Sequence, residues 1–145
     1  MGIPAPIIMH PMKVKDLGEF VLIDRLAELL VEAIQPTEAI SEPPGFQLTV
    51  GIGDDAAVWH SPATNYLLTT DTLVNGVHFV LDKLAWKDLG WKSFAVNYSD
   101  IAAMGGTPLY SVITLGLPDD TPVDGLIEMY RGMMAFCREY GGRIV

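Results

Sequence analysis

Cysteine is almost missing from this 145-residue chain. Cys137 stands alone, which excludes an internal disulfide framework and a Cys-rich zinc site. Basic residues are also scarce, with 9 Lys and Arg against 18 Asp and Glu. The formal net charge is −9 and the pI is near 4.5. A binder of the nucleic-acid backbone needs the opposite sign, so no nucleic acid partner is expected. No apolar run approaches the ~20 residues that span a bilayer, so no membrane partner is expected either. The stretch from Met1 to Met12 holds Pro4, Pro6 and Pro11 and no basic n-region, and it does not read as a secretory signal. The default compartment is the cytoplasm. Apolar residues are plentiful, at 50% of the chain, and mean hydropathy is +0.30. Such a composition builds a core and rules out wholesale disorder. An acidic protein that handles phosphate needs a source of positive charge, and a divalent metal supplies it.

The pattern along the chain alternates between helical and extended signals. Asp16 and Glu19 form an Asp-x-x-Glu start signal. Phe20, Ile23, Ala27, Leu30, Val31 and Ile34 then recur at helical spacing, and Gln35-Pro36 ends that helix. Residues 36–46 read as an exposed loop. Leu48–Ile52, Ala56–Trp59 and Tyr66–Thr72 read as strands, the last rich in aromatic, branched and Thr residues. A second helix is predicted over 86–104, closed by Gly105-Gly106 and Pro108. Leu109–Leu117 reads as a buried strand. Thr121-Pro122 opens a third helix, with an apolar stripe from Val123 through Leu126, Tyr130, Met133 and Cys137 to Tyr140. Gly141-Gly142 closes it, and Arg143-Ile144-Val145 looks like the start of a strand. The order indicates an α+β domain.

Gly51-Ile52-Gly53-Asp54-Asp55-Ala56 superficially matches a dinucleotide fingerprint. That reading fails, because extended residues follow where a helix must open, and paired carboxylates repel bare phosphate. No P-loop is present; Gly90-Trp91-Lys92-Ser93 lacks the spacing. Asp54 and Asp55 suit an ordinary turn. Asp71 ends a strand-like run beside Thr69 and Thr70, and Asp100 lies in an apolar helix with Asn97 three residues earlier. A carboxylate on a buried face needs a partner or a metal. Several Asp residues with Thr oxygens suit Mg²⁺ and a polyphosphate; the competing reading is caps, turns and solvated acids. His78 is locally an ordinary loop or strand histidine. Cys137 and the methionines 104, 129, 133 and 134 read as core, and Trp86 and Trp91 as packing.

Three segments occur in order: Gly51-Ile-Gly-Asp-Asp-Ala-Ala-Val58, Thr69-Thr-Asp-Thr-Leu-Val-Asn-Gly-Val-His-Phe79 and Ala95-Val-Asn-Tyr-Ser-Asp-Ile-Ala-Ala-Met-Gly-Gly-Thr-Pro108. Together they resemble the thiamine-monophosphate kinase family, within the aminoimidazole ribonucleotide synthetase-like superfamily. The resemblance implies a tail over 1–16 and an N-terminal domain over 17–145, with the C-terminal domain absent. It implies a mixed sheet with helices on one face, and a homodimer built through a β-barrel-like interface. The implied reaction is ATP-dependent phosphorylation of thiamine monophosphate to thiamine diphosphate with Mg²⁺. By the same resemblance Asp55, Thr69, Thr70, Asp71 and Asp100 serve the Mg²⁺–nucleotide cluster. His78 contacts thiamine monophosphate, and Tyr130 falls at a nucleotide contact. The family's Gly-Gly-Asp-Thr motif is not matched by Gly141-Gly142-Arg143, so the chain alone is expected to be poorly active or inactive while still folding and dimerising. Two alternatives stand beside this reading. One is a non-catalytic dimerisation or nucleotide-binding module, the other a sister ATP-dependent enzyme of the superfamily.

Overall fold

The computed structural model describes residues 12–33, 44–50, 58–61 and 66–145. The element order is α1 (Val14–Leu17), α2 (Glu19–Ala33), β1 (Gln47–Val50), β2 (Val58–His60), a 3-10 turn (Leu81–Lys83), α3 (Trp86–Ala103), β3 (Tyr110–Ser111), α4 (Val123–Tyr140) and β4 (Arg143–Ile144). The expected α+β content and the three principal helices are present.

Asp16 does not open the long helix. Its carboxylate accepts the Lys13 N–H at 2.9 Å and caps the short α1. Gly18, at φ +78°, then breaks the chain before α2 starts. Met12–Lys15 are held by backbone bonds to the turn before α4, among them Val14 N–H to Thr121 O at 2.8 Å and Val123 N–H to Met12 O at 2.9 Å. Residues 1–11, most of the expected tail, lie outside the described residues.

The core is the α3–α4 pair with α2 laid across it. Leu89, Phe94 and Tyr98 of α3 meet Leu126, Met129, Met133 and Phe136 of α4. The two helices approach through glycines. A methyl group at Gly90 would overlap the Met129 carbonyl, and one at Gly132 would overlap the Lys87 carbonyl. Backbone therefore rests on backbone at the crossing. Trp91 stacks edge-on against Phe136 with centroids 5.0 Å apart, so the tryptophan does pack as expected.

Two sequence expectations change here. The buried row of α2 is Leu22, Leu26 and Leu30, while Phe20 and Val31 of the expected stripe are 80% and 66% exposed. This helix is apolar on two faces, and the i, i+4, i+8 leucine row is the one that docks. Met104, grouped with the core methionines, is 72% exposed at the end of α3, whereas Met129, Met133 and Met134 are buried.

The strands expected over 66–72 and 109–117 are absent or shorter than their composition suggests, and residues 51–52 and 56–57 of the two earlier ones lie outside the described residues. Among the described residues the strands form two separate pairs rather than one mixed sheet. β1 and β2 are antiparallel with an irregularity between Leu48 and Val50; β3 and β4 are parallel. Residues 66–74 carry no strand, and only Tyr110–Ser111 of the expected 109–117 strand is paired. Strand composition fits a residue to a pleat, but the ladder bonds must come from a neighbour. Leu68, read as part of a buried strand, is 96% exposed.

Candidate active site

Residues 69–81 lie against α3 and are tied to it by three of its side chains. Thr69 donates its hydroxyl to Asp100 Oδ2 at 3.0 Å. The Asp71 N–H donates to Asn97 Oδ1 at 3.0 Å. Lys92 Nζ donates to the His78 carbonyl at 2.6 Å. Asn97 is itself fixed, since its Nδ2 donates to Ser93 O one turn earlier at 2.9 Å. Its amide thus has one head in the helix and one on the site segment, and neither can swap without losing a bond.

Two of the sequence motifs therefore meet in space, Thr69–Asp71 from one and Asn97–Asp100 from the other. Asp100 is exposed rather than buried, which corrects the expectation of a carboxylate on an apolar face. The helix turns it out toward Thr69. Asp71 and Thr70 are exposed and Thr69 is half-buried. Among the described residues no hydrogen bond engages the Asp71 carboxylate, and Asp100 keeps its other oxygen. The donor set is hard oxygen from two carboxylates and a Thr hydroxyl, with no His or Cys. Mg²⁺ accepts such a set when water and phosphate oxygens complete the shell. Among the described residues no three His, Cys, Asp or Glu side chains converge as a metal cage. Asp55, with Asp54, lies outside the described residues.

His78 closes a tight turn over 74–79. Its Nδ1 accepts the Val74 N–H at 3.0 Å, and Asn75 Oδ1 accepts the Leu81 N–H at 3.1 Å. A backbone N–H can only donate, so Nδ1 carries the lone pair and the ring proton sits on Nε2. The residue is exposed.

Tyr130, expected at a nucleotide contact, is placed in the core at 6% exposure. Burial pushes its phenol up to about 12. The apolar stripe of α4 packs it against α3, and its position fits packing. Asn97 and Lys92 are the site residues that sequence reasoning did not assign. The spacing of Asn97 from Asp100 is visible in the sequence, whereas the spacing of Lys92 from His78 carries no local signal.

The site is an open shelf. Grooves of about 360 Å³ beside Lys87, Arg131 and Arg138, and about 310 Å³ beside Tyr98, Pro108 and Tyr140, lie elsewhere. Among the described residues no helix is long and apolar enough to cross a membrane.

Residues 53–145 match the family model described as AIR synthase related protein, N-terminal domain. The chain is similar to a thiamine-monophosphate kinase of Aquifex aeolicus, 35% identical over 134 residues, covering 92% of this chain and 38% of that protein. A Corynebacterium glutamicum protein of the same name is 36% identical over 91% of this chain and 35% of its own length. The Escherichia coli thiamine-monophosphate kinase is 48% identical over 71 residues, which is 48% of this chain and 22% of that protein. The chain thus spans well under half the length of these relatives. No solved structure matches it. With a family match covering most of its residues and its two described motifs joined on α3, the chain belongs to the AIR synthase related protein family, as an N-terminal domain.

Proposed function

We propose that this chain is the Mg-ATP-binding and dimer-forming half of a cytoplasmic thiamine-monophosphate kinase. The observation that carries the reading is the joining of Thr69–Asp71 to Asn97–Asp100, which brings two exposed Asp residues and the Thr69 hydroxyl to one stretch of α3. The names of the relatives support the substrate pair, ATP and thiamine monophosphate.

In the proposed reaction a phosphate oxygen of thiamine monophosphate attacks the γ-phosphorus of ATP in line. A new P–O–P bond forms, the bond to ADP breaks, and ADP leaves with the electron pair. The attacking oxygen is already anionic near neutral pH, so no strong general base is needed. This agrees with a site of carboxylates and hydroxyls rather than a nucleophile–base pair. Mg²⁺ would be held by Asp55, Thr69, Thr70, Asp71 and Asp100, and would supply neutralisation of the phosphate charge. Asp71 and Asp100 would fix where that charge is met, while Thr69 holds the Asp100 carboxylate and Asn97 holds the Asp71 backbone N–H. His78 offers its Nε2–H to the acceptor. Exposed apolar residues of the unpaired segments, among them Leu68 and Val112, form the surface that meets a second copy.

The test is Asp71→Asn in the full-length protein. It is expected to remove most kinase activity with thiamine monophosphate and ATP. Activity within about tenfold of the unsubstituted protein would sink the role of Asp71.

A further inference from the structure

Lys92 is half-buried in an acidic chain, yet among the described residues it forms no ion pair. Its ammonium donates instead to a backbone carbonyl, that of His78, at 2.6 Å. A charged donor on a neutral carbonyl is a strong, directional tie. That carbonyl belongs to the residue whose imidazole closes the turn. Within the turn, the His78 N–H reaches Val74 O at 2.9 Å and the Gly76 N–H reaches Phe79 O at 2.7 Å. The turn is therefore internally bonded, but no strand flanks it, and Val77 at its tip is 74% exposed. Phe79 and Leu81 pack its trailing side against the core. Among the described residues, Lys92 makes the side-chain hydrogen bond that fixes the turn to α3.

We propose that Lys92 is a positioning residue for the phosphate acceptor. It docks the His78 turn on the same rigid helix that grips Asp71 through Asn97. The distance between the His78 Nε2–H and the Asp71–Asp100 pair is then set by α3 and not by the loop. An acceptor that touches His78 at one end is thereby aimed at the carboxylate shelf at the other. This rests on the reading of His78 as an acceptor contact.

Two variants separate the roles. Lys92→Met keeps the aliphatic stem and deletes the donor; Lys92→Arg keeps a donor. By NMR on the ¹⁵N-labelled protein, the unsubstituted chain is expected to show His78 protonated at Nε2, with the Val74 and His78 amides protected from exchange. Lys92→Met is expected to lower that protection about tenfold, leave amides of the α3–α4 core unchanged, and be rescued by Lys92→Arg. In the full-length protein Lys92→Met is expected to raise the KM for thiamine monophosphate about tenfold, with kcat and the KM for ATP changed less than threefold. Unchanged protection of the turn overturns the proposal. So does a loosened turn with an unchanged acceptor KM when His78→Ala raises that KM. If His78→Ala also leaves the KM unchanged, the reading of His78 is what falls.

Discussion

Burial pushes the Cys137 thiol up to about 11, against an ordinary value of 9.0, with the Tyr98 hydroxyl 3.9 Å from its sulfur. A raised value means that the folded chain holds the proton more tightly than the unfolded one. The resulting stability is complete below pH 9 and is lost as pH rises through 11. Tyr130, raised from 10.0 to about 12 by burial, extends the same loss to higher pH. The denaturation midpoint is therefore expected to fall steadily from pH 9 upward, as followed by urea titration at a series of pH values. At pH 8 the thiolate fraction of Cys137 is about 100-fold smaller than in the unfolded chain. Alkylation by iodoacetamide should be slower by about that factor, and a rate equal to that of a free thiol would show that the site is open. Cys137 was legible in the sequence as a core residue. Its neighbour was not, because Tyr98 lies on a different helix, 39 positions away.

At the scale of the element, α3 and α4 depend on glycine where their backbones touch. Gly132→Ala gains about 1 kcal/mol of helix propensity. It also places a methyl group on the Lys87 carbonyl, and backbone cannot rotate aside as a side chain does. The overlap costs about 1–3 kcal/mol or more, so the net change is expected to be destabilising and to lower the urea midpoint. Leu126, with 0% exposure, gives a second check on the same interface. Leu126→Ala should cost about 2–5 kcal/mol, read by the same titration. The helices were largely legible, because each carries its own periodicity and its own stop signal. Tyr98 shows how such a stop is used: its hydroxyl donates to Gly141 O at 3.3 Å, just past the end of α4. The strands were less legible. Tyr66–Thr72 has strand chemistry but no described ladder partner, and no local residue can reveal whether a partner strand is there.

At the scale of the whole molecule, much large apolar surface faces outward on α2 and on the unpaired segments. Leu68 at 96% and Val112 at 74% are the extreme cases in the segments expected as strands. Surface of this kind is usually covered by another chain or domain. Under the proposed reading, sedimentation at micromolar concentration is expected to give a particle near twice 15.8 kDa. Leu68→Lys should return it to a monomer, and a dimer unaffected by that change would remove Leu68 from the pairing face.

Local chemistry in the sequence determined the helices and the acidic character of the chain. Periodicity, capping and motif spacing act over a few residues and can be read in one dimension. The meeting of Thr69 with Asp100, of Asp71 with Asn97 and of His78 with Lys92 joins positions 31, 26 and 14 apart. Only the tertiary structure decided those pairs, because they depend on how residues 69–81 lie along α3. The same holds for the buried face of α2: the sequence carries two apolar rows, and packing against α4 selected one.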